Sequence, residues 1–369
     1  MTFGRSGAYR LTPRRRVRTV SQAPAVAPKV TVIIPNYNYA RFLPSAVGSA
    51  LHQEGVDVDV IVVDDRSTDD SVSIVQSLAA LDPRVHLIAR SVNGGPVATF
   101  NDGLAAASGD YLVRLDADDL LTPGTLARAT ALAEQFPSVG IVYGRPVHFA
   151  GEVPSRHRNV AKAWIIWPGS DWLELRCRRG VNCITSPEVL MRASVVRRVG
   201  GQRNLAHTHD MEMWFRIARE SDVGWVAGAD QAWHREHDAS LSAREVDVIT
   251  DLRERASAYD LLFTGDGAGT AEDARLHELA KGALANEALV RTSQAYSAGR
   301  GGSAETAGYL DYARGLGVSL DDLPNSRALH TAERLGQKGA VLSPYLFLRA
   351  MLHRVTLEWR KIEWRQTGL

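Results

Sequence analysis

The sequence predicts an α/β protein with a mainly parallel sheet flanked by helices and a helical extension at the C-terminal end. Three observations support this class. Short β-branched runs alternate with helical segments between residues 29 and 143, which is typical of βαβ units. Polar residues follow directly after three of these runs. Beyond about residue 245, the chain is Ala-rich and has the pattern of helices.

The apolar runs predict five strands, at residues 30–34, 58–63, 85–89, 111–115 and 140–143. The segments between them predict helices at about 40–52, 71–81, 96–107 and 122–136. Pro96 and Pro123 are placed at the first positions of two of these helices, where proline is favoured, and Thr122 is the expected N-cap of the last. These elements predict the βαβ half of the sheet.

The rest of the chain is less regular up to residue 240 and contains six of the eight tryptophans. Trp164, Trp167 and Trp172 fit either stacking on acceptor sugar rings or burial in a core. A helix is expected from Asp210 to Glu220. Further helices are expected at about 246–263, 271–298, 304–316 and 344–364.

The charges nearly balance, with 43 basic and 42 acidic residues, which argues against nucleic-acid binding by bulk charge. The first acidic residue is Glu54, so residues 1–28 are predicted to be a basic disordered arm that is either attracted to an anionic membrane surface or without function. No membrane-spanning run or secretory signal is evident, and we expect a cytoplasmic protein, with peripheral contact at the inner face of the membrane through its basic termini.

Carboxylates follow two of the predicted strands, where open α/β sheets bind their ligands. Asp116, Asp118 and Asp119 would repel one another unless a cation such as Mg²⁺ or Mn²⁺ lay among them, although a solvated loop with helix-capping acids fits as well. Tyr37 and Asp64 offer a stacking face and a hydrogen-bond acceptor for the N3–H of uracil or thymine, although guanine could also donate. Asp64 taken alone is equally consistent with a helix cap.

The segments VTVIIPNYN, IVVDDRSTD and LDADD, in this order and spacing, closely resemble the inverting family 2 glycosyltransferases of GT-A fold. The resemblance runs from about Lys29 to Ser242. It implies that the first half, residues 29–143, binds the nucleotide through Pro35, Tyr37, Asp64 and Asp116. It also implies Asp118 as the metal ligand, with Asp119 as the alternative ligand. Asp65, beside Asp64, is a further possible site residue.

The resemblance extends to the segments HDMEMWFR and HREHDASLS in the acceptor half, residues 144–242. It implies that Asp210 is the general base, with His209 in place of the family's usual first acid. His237 is implied as a further metal or diphosphate ligand and Arg235 as a phosphate contact. A zinc site formed by His207, His209, His234 and His237 is an alternative.

The resemblance implies an enzyme that moves a sugar from a nucleoside diphosphate sugar, with UDP or dTDP favoured, to a hydroxyl of a glycan, a lipid-linked acceptor or a small molecule. Bacterial cell-surface glycan or glycolipid assembly and a homo-oligomer are further expectations. Phe100 departs from the pattern, since the family usually has an arginine there. The alternatives are a sugar-phosphate nucleotidyltransferase and a non-catalytic carbohydrate-binding module. Residues 243–369 form the predicted helical C-terminal region.

Overall fold

The computed structural model describes residues 13, 15–17, 26–237, 247–265 and 267–369, and it confirms the predicted α/β class. The strands in this part of the chain are β1 Arg15–Val17, β2 Lys29–Asn36, β3 Asp57–Asp64, β4 Val85–Ala89, β5 Tyr111–Arg114, β6 Leu120–Leu121, β7 Val139–Phe149, β8 Ala163–Trp167, β9 Leu190–Arg192 and β10 Asp222–Arg235. The helices are α1 Leu43–Leu51, α2 Ser71–Leu81, α3 Gly95–Ala106, α4 Thr125–Gln135, α5 Gly169–Arg179, α6 Ala193–Val199, α7 His209–Glu220, α8 Val248–Thr264, α9 Ala271–Ser297, α10 Ala304–Gly315, α11 Ser326–Val341 and α12 Pro344–Thr367.

The strands form one sheet in the order β1-β8-β10-β7-β9-β5-β2-β3-β4, with β6 paired to β10. Strands β4, β3, β2 and β5 are parallel to one another. Alternate side chains of these strands enter two different cores: Ile33 and Ile61 pack on one face, and Val32 and Val60 on the other. Because helices cover both faces of this part of the sheet, almost every residue of these strands is apolar. The strands are therefore easily predicted from the sequence.

The second half of the sheet is mixed. Strand β9 lies antiparallel between β5 and β7, and β10 pairs parallel to β7 but antiparallel to β8 and β6. The tryptophans proposed for sugar stacking, Trp164, Trp167 and Trp172, are all buried in the cores beneath this half. Sugar stacking by these three side chains is therefore wrong, and they serve the packing of the sheet.

Helix α4 begins three residues later than predicted, and Thr122 is not its N-cap. Leu120 and Leu121 pair with β10 as the short strand β6. The Thr122 hydroxyl then donates to the carbonyl of Asp230 in β10 at 2.6 Å. These bonds to β10 keep the segment extended, so that Gly124 in the left-handed region precedes the helix.

Part of the basic arm is ordered, in contrast to the prediction. Arg15, Arg16 and Val17 form β1 at the edge of the sheet, antiparallel to β8. Backbone hydrogen bonding to β8 provides the order that the composition of the arm does not suggest. Residues 1–12, 14 and 18–25 of the arm lie outside the described residues.

The C-terminal helices confirm the predicted helical extension, and they share a core with the sheet. Leu252 of α8 and Leu284 of α9 belong to the same buried cluster as Ile33 of β2. The proposed boundary at residue 242 falls within 238–246, outside the described residues. None of the described helices combines the length and apolarity needed to cross a membrane.

Candidate active site

The carboxyl ends of the parallel strands meet at one edge of the sheet. Asn36 ends β2, Asp64 ends β3, and Asp116 follows β5 by two residues. The backbone N–H of Asp65 donates to the carbonyl of Asn36 at 2.8 Å, which joins the loops after β2 and β3. The polar positions that the sequence predicts for the nucleotide therefore lie at this edge.

Tyr37 is the exposed aromatic ring of this edge, with 46% of its surface accessible. It comes directly after Pro35 and Asn36, the last two residues of β2, which pair with Val63 and Asp64 of β3. Asp64 is buried, and its carboxylate accepts from Asn36 Nδ2 at 2.8 Å and from the N–H of Ser67 at 2.9 Å. Asp64 therefore fixes the loop that carries Tyr37.

Asp65 anchors a second loop at the same edge. Its carboxylate accepts from the N–H groups of Gly94 at 2.9 Å and Gly95 at 2.8 Å, and it forms an ion pair with Arg90 at 2.5 Å. Arg90 also contacts Asp102 at 2.7 Å. Because the sequence analysis does not single out Arg90, this cation beside the loops is a finding of the structure.

Asp119 is turned towards β10 and is almost fully buried. It accepts from the N–H of Arg235 at 2.7 Å and forms an ion pair with His234 Nδ1 at 2.9 Å. Burial raises the pKa of Asp119 to about 6, against the lowering effect of His234. Burial alone would lower the pKa of His234, but its hydrogen bond to Asp119 and the nearby carboxylates raise that pKa to about 9.

Asp118 and His237 form a second carboxylate–imidazole contact, with Asp118 Oδ2 and His237 Nε2 2.9 Å apart. The His237 ring also packs against Tyr39 and Phe42. Burial raises the pKa of Asp118, and the neighbouring carboxylate of Asp116 adds to the increase. Arg235 donates from Nε to the backbone carbonyl of Asp118 at 2.9 Å, so the loop and the end of β10 are joined at several points.

Arg114, which the sequence analysis did not single out, connects the loop after β5 to helix α7. Its guanidinium forms an ion pair with Asp116 at 2.8 Å and approaches Ser186 Oγ at 3.3 Å and His209 Nε2 at 3.4 Å. The Ser186 hydroxyl in turn donates to Asp210 Oδ2 at 3.2 Å. The predicted nucleotide residue Asp116 and the predicted base Asp210 therefore belong to one network.

Phe100, at the position where the resemblance expects an arginine, is fully buried. The guanidinium of Arg114 lies over the Phe100 ring, 6.0 Å from its centroid. A cation is thus present beside residue 100, although it comes from strand β5. The signal for Arg114 was in the sequence, since an arginine inside a buried apolar strand requires polar partners.

Asp210 is the second residue of α7, and the N-cap is Thr208. Its carboxylate accepts from the N–H of Met211 at 2.6 Å and from Ser186. Burial lowers the pKa of the adjacent His209, and the cation of Arg114 acts in the same direction. Asp210 therefore lies at the N-terminal end of a helix, where a carboxylate is favoured.

The predicted histidines do not come together as a zinc site. His209 contacts Arg114, His234 contacts Asp119, and His237 contacts Asp118. Within the described ranges, no group of three or more His, Cys, Asp or Glu side chains is arranged to bind a metal ion. A cation at Asp118 and His237 would therefore need further ligands from a bound diphosphate or from water.

Comparison with known proteins supports the fold and the family. Residues 31–200 match the family model for "Glycosyl transferase family 2". The putative glycosyltransferase EpsE of Bacillus subtilis is 30% identical over 202 residues, which cover 54% of this chain and 69% of EpsE. The succinoglycan biosynthesis protein ExoO of Rhizobium meliloti is 43% identical over 29% of this chain and 30% of its own length. The alignments thus span about a third of the length of some curated relatives.

Two solved structures share the fold over most of the chain. TarS of S. aureus, residues 1–349 in complex with UDP-GlcNAc, has a TM-score of 0.56 at 17% identity and covers 85% of this chain and 89% of its own. The mannosyltransferase PcManGT from Pyrobaculum calidifontis, in complex with GDP-Man and Mn²⁺, has a TM-score of 0.54 at 21% identity and covers 86% and 89%. Together with the match to EpsE, the sheet topology and the family model show that the chain belongs to glycosyl transferase family 2 and has the GT-A fold.

Proposed function

We propose that this protein is a metal-dependent inverting glycosyltransferase. It transfers a sugar from a nucleoside diphosphate sugar to an acceptor hydroxyl in the assembly of a bacterial cell-surface glycan or glycolipid. Family membership supports the reaction class. Relatives named for succinoglycan, chondroitin and hyaluronan synthesis support a glycan product.

The observation that carries the proposal is the network through Arg114. It joins Asp116, at the nucleotide edge of the sheet, to Asp210, at the start of α7, through contacts of 2.8, 3.3 and 3.2 Å. A donor whose phosphates lie near Asp116 would therefore present its sugar close to Asp210. A binding module has no need for a carboxylate at that second position.

Asp118 and His237 fit a divalent cation. Their side chains meet, with Asp118 Oδ2 and His237 Nε2 2.9 Å apart, so that one carboxylate oxygen and one imidazole nitrogen would be available to the same cation. The oxygens of Asp119 already accept from His234 and Arg235, which favours Asp118 as the ligand. When bound, the cation would stabilise negative charge on the departing diphosphate.

Asp210 is suited to accept the proton of the acceptor hydroxyl. As the acceptor oxygen bonds to the anomeric carbon, the bond from that carbon to the diphosphate breaks and the proton moves to the Asp210 carboxylate. Ser186 and the N–H of Met211 orient this carboxylate. Attack from the side opposite the leaving group inverts the anomeric centre.

Uridine and thymidine donors are favoured because their N3–H needs an acceptor beside the exposed ring of Tyr37. The candidates are Asp64 and Asp65, both already bound to protein donors, so a base would use a remaining lone pair. The experiment is to supply UDP-, dTDP- and GDP-sugars with Mg²⁺ or Mn²⁺ and to measure release of the nucleoside diphosphate. A preference for GDP-sugars would contradict this part of the proposal.

Two substitutions test the roles of the carboxylates. Asp210→Asn removes the proton acceptor at nearly constant shape, so kcat is expected to fall by about 10²–10⁴-fold while calorimetry finds unchanged nucleotide binding. Asp118→Ala is expected to abolish the increase in nucleotide affinity that Mn²⁺ provides. Asp311→Asn, on exposed α10, is the matched control and should change neither quantity.

Three outcomes would contradict the proposal. If Asp210→Asn turned over at the wild-type rate, Asp210 would not be the general base. Tight nucleotide-sugar binding without turnover on any acceptor or on water would favour a binding module. Release of pyrophosphate from a nucleoside triphosphate and a sugar phosphate would identify a nucleotidyltransferase.

A further inference from the structure

Helix α12 carries a stripe of large apolar side chains that point to solvent. The stripe is interrupted on the same face by Glu358, whose carboxylate pairs with Lys361 at 2.7 Å. The exposed fractions of the apolar side chains range from 43% to 67%, and spacings of three and four residues place them on one face of the helix. We call this the α12 stripe; it consists of Phe347, Leu348, Met351, Leu352, Val355, Trp359 and Ile362. At 1.5 Å per residue it is about 22 Å long.

The opposite face of α12 attaches the helix to the protein. Leu346 is buried, Trp364 packs edge-on against Trp225 at 5.3 Å, and the Trp364 indole donates to the carbonyl of Cys183 at 2.8 Å. The stripe is thus a separate surface, which no described part of the chain covers. Contiguous apolar patches of this kind mark protein or membrane contact sites.

The charges around the stripe favour a negatively charged partner. Residues 344–369 contain five basic and two acidic side chains. Arg354, Lys361 and Arg365 are exposed and, at spacings of seven and four residues, follow one margin of the stripe. A second copy docked stripe to stripe would bring two such basic helices together, whereas anionic lipid would be attracted to them.

The N-terminal arm adds to this basic surface. Arg15 in β1 pairs with Ile166 of β8, and the neighbouring Trp167 donates from its indole to the carbonyl of Thr367 at the end of α12. The start of the ordered arm and the end of α12 are therefore close together. Exposed Arg16 extends the positive charge from the helix to the edge of the sheet. Arg15 points to the other face, where its guanidinium lies 5.8 Å from the centroid of the Phe136 ring.

We propose that the α12 stripe binds the surface of an anionic lipid bilayer. The helix lies parallel to the membrane, the apolar side chains enter the boundary between head groups and acyl chains, and the flanking basic residues contact lipid phosphates. Trp359 is 67% exposed, and tryptophan prefers the boundary between the apolar and the hydrated region of a bilayer. The binding is independent of donor turnover and is measured without a nucleotide sugar.

The test is flotation of the full chain with vesicles of phosphatidylcholine alone or with phosphatidylglycerol added at one part in three. Wild-type protein is expected to float with the anionic vesicles and not with the neutral ones. Leu352→Gln combined with Trp359→Gln, and separately Arg354→Glu combined with Arg365→Glu, should each reduce binding at least tenfold. Leu81→Gln on α2 and Arg314→Glu on α10 are matched controls of exposed side chains elsewhere.

Thermal melting should show that all variants remain folded, because every substituted side chain is exposed. Light scattering without lipid should give the same mass for the wild type and for the Leu352 and Trp359 variant, because the stripe does not join two copies. Absence of flotation, equal flotation with neutral vesicles, or retained binding in the Leu352 and Trp359 variant would overturn the proposal. A dimer that the same variant dissociates would assign the stripe to a second copy instead.

Discussion

Arg114 is a charged side chain inside a buried strand, and its surroundings explain why it is tolerated there. One side of the guanidinium faces the ring of Phe100, while its N–H groups reach Asp116, Ser186 and His209. A lysine could supply the charge but not the fork of donors that reaches several partners at once. Arg114 therefore positions both the loop after β5, which carries Asp116, and the start of α7.

Substitution of Arg114 should affect catalysis as well as folding. Arg114→Met is expected to raise the donor KM and to lower kcat, each by about tenfold or more, because Asp116 loses its ion pair and Ser186 loses the hydrogen bond that it accepts from Arg114. Arg114→Lys should restore part of kcat. The measurement is steady-state nucleotide release at saturating metal. If Arg114→Met lowered only the melting temperature, the residue would have a structural role alone.

Glu188 gives the protein a pH dependence opposite to that of most acidic residues. Its carboxylate is buried, and Oε1 accepts from the N–H and hydroxyl of Thr185, while Oε2 has no hydrogen-bond partner among the described residues. Burial raises the pKa of Glu188 to about 7 from the ordinary 4.5. The folded state thus binds this proton more tightly than the unfolded chain, and its contribution to stability decreases as pH rises from 4.5 to 7.

Glu188→Gln should remove this decrease. Gln keeps the oxygen that accepts from Thr185 but does not ionise. The difference in the free energy of unfolding, variant minus wild type, should therefore increase by roughly 3 kcal/mol between pH 4.5 and pH 7. Urea unfolding across this range measures the difference. Glu278→Gln, at an exposed position of α9, should show no such trend. A constant difference between variant and wild type would contradict the assignment.

At the scale of elements, α7 depends on an ion pair between two of its own residues. Glu212 is fully buried and accepts from Arg216 Nε at 2.8 and 2.9 Å. Arg216 also donates to the carbonyls of Val199, Gly200 and Gly201, which join α7 to the end of α6. This arrangement fixes the helix whose first turn carries Asp210.

Arg216→Ala should therefore be strongly destabilising. It leaves the Glu212 carboxylate buried without its principal counter-charge, and a loss of about 3–5 kcal/mol in the free energy of unfolding is expected. Chemical denaturation provides the measurement. Arg314→Ala breaks an exposed pair on α10 and should cost less than about 1 kcal/mol. Similar effects of the two substitutions would show that the buried pair is not needed for the position of α7.

Prediction of the elements succeeded where both faces of a strand are buried and failed where pairing partners are distant in sequence. The five predicted strands are all present, because their apolar runs fill two cores. The sequence patterns predict neither strands β1, β6, β8, β9 and β10 nor helices α5, α6 and α11. These strands depend on pairing with one another and with β5 and β7. Local sequence patterns carry no record of such neighbours.

At the scale of the whole molecule, residues 368 and 369 pack against the sheet. The carbonyl of Gly368 accepts from the hydroxyl of Tyr143 in β7, and Leu369 is buried. Gly368 has φ +78°, and an added Cβ would meet the ring of Trp225 at 2.6 Å. Removing α12 to test membrane binding would therefore also remove part of the core, which is why point substitutions are the better test.

Gly368→Ala is expected to destabilise the protein by about 2 kcal/mol, because it combines an unfavourable backbone conformation with a steric overlap. Thermal unfolding measures the change. Gly317→Ala is the matched control, since Gly317 has φ +70° and no atom within 4 Å of the added Cβ. Equal shifts for the two variants would mean that contact with Trp225 contributes nothing.

The α/β class, the parallel strands of the first half, the C-terminal helices and the motifs that identify the family are all predicted from the amino-acid sequence. These are local properties: the spacing of apolar residues, the polar residues at strand ends and the order of short motifs. The assigned roles of Asp64, Asp116, Asp118, Asp210 and His237 stay predictions until the substitutions are made. Only the tertiary structure decided that Asp118 meets His237 and that Arg114 joins Asp116 to the start of α7, because those partners lie 72 to 119 residues apart and are brought together by the sheet.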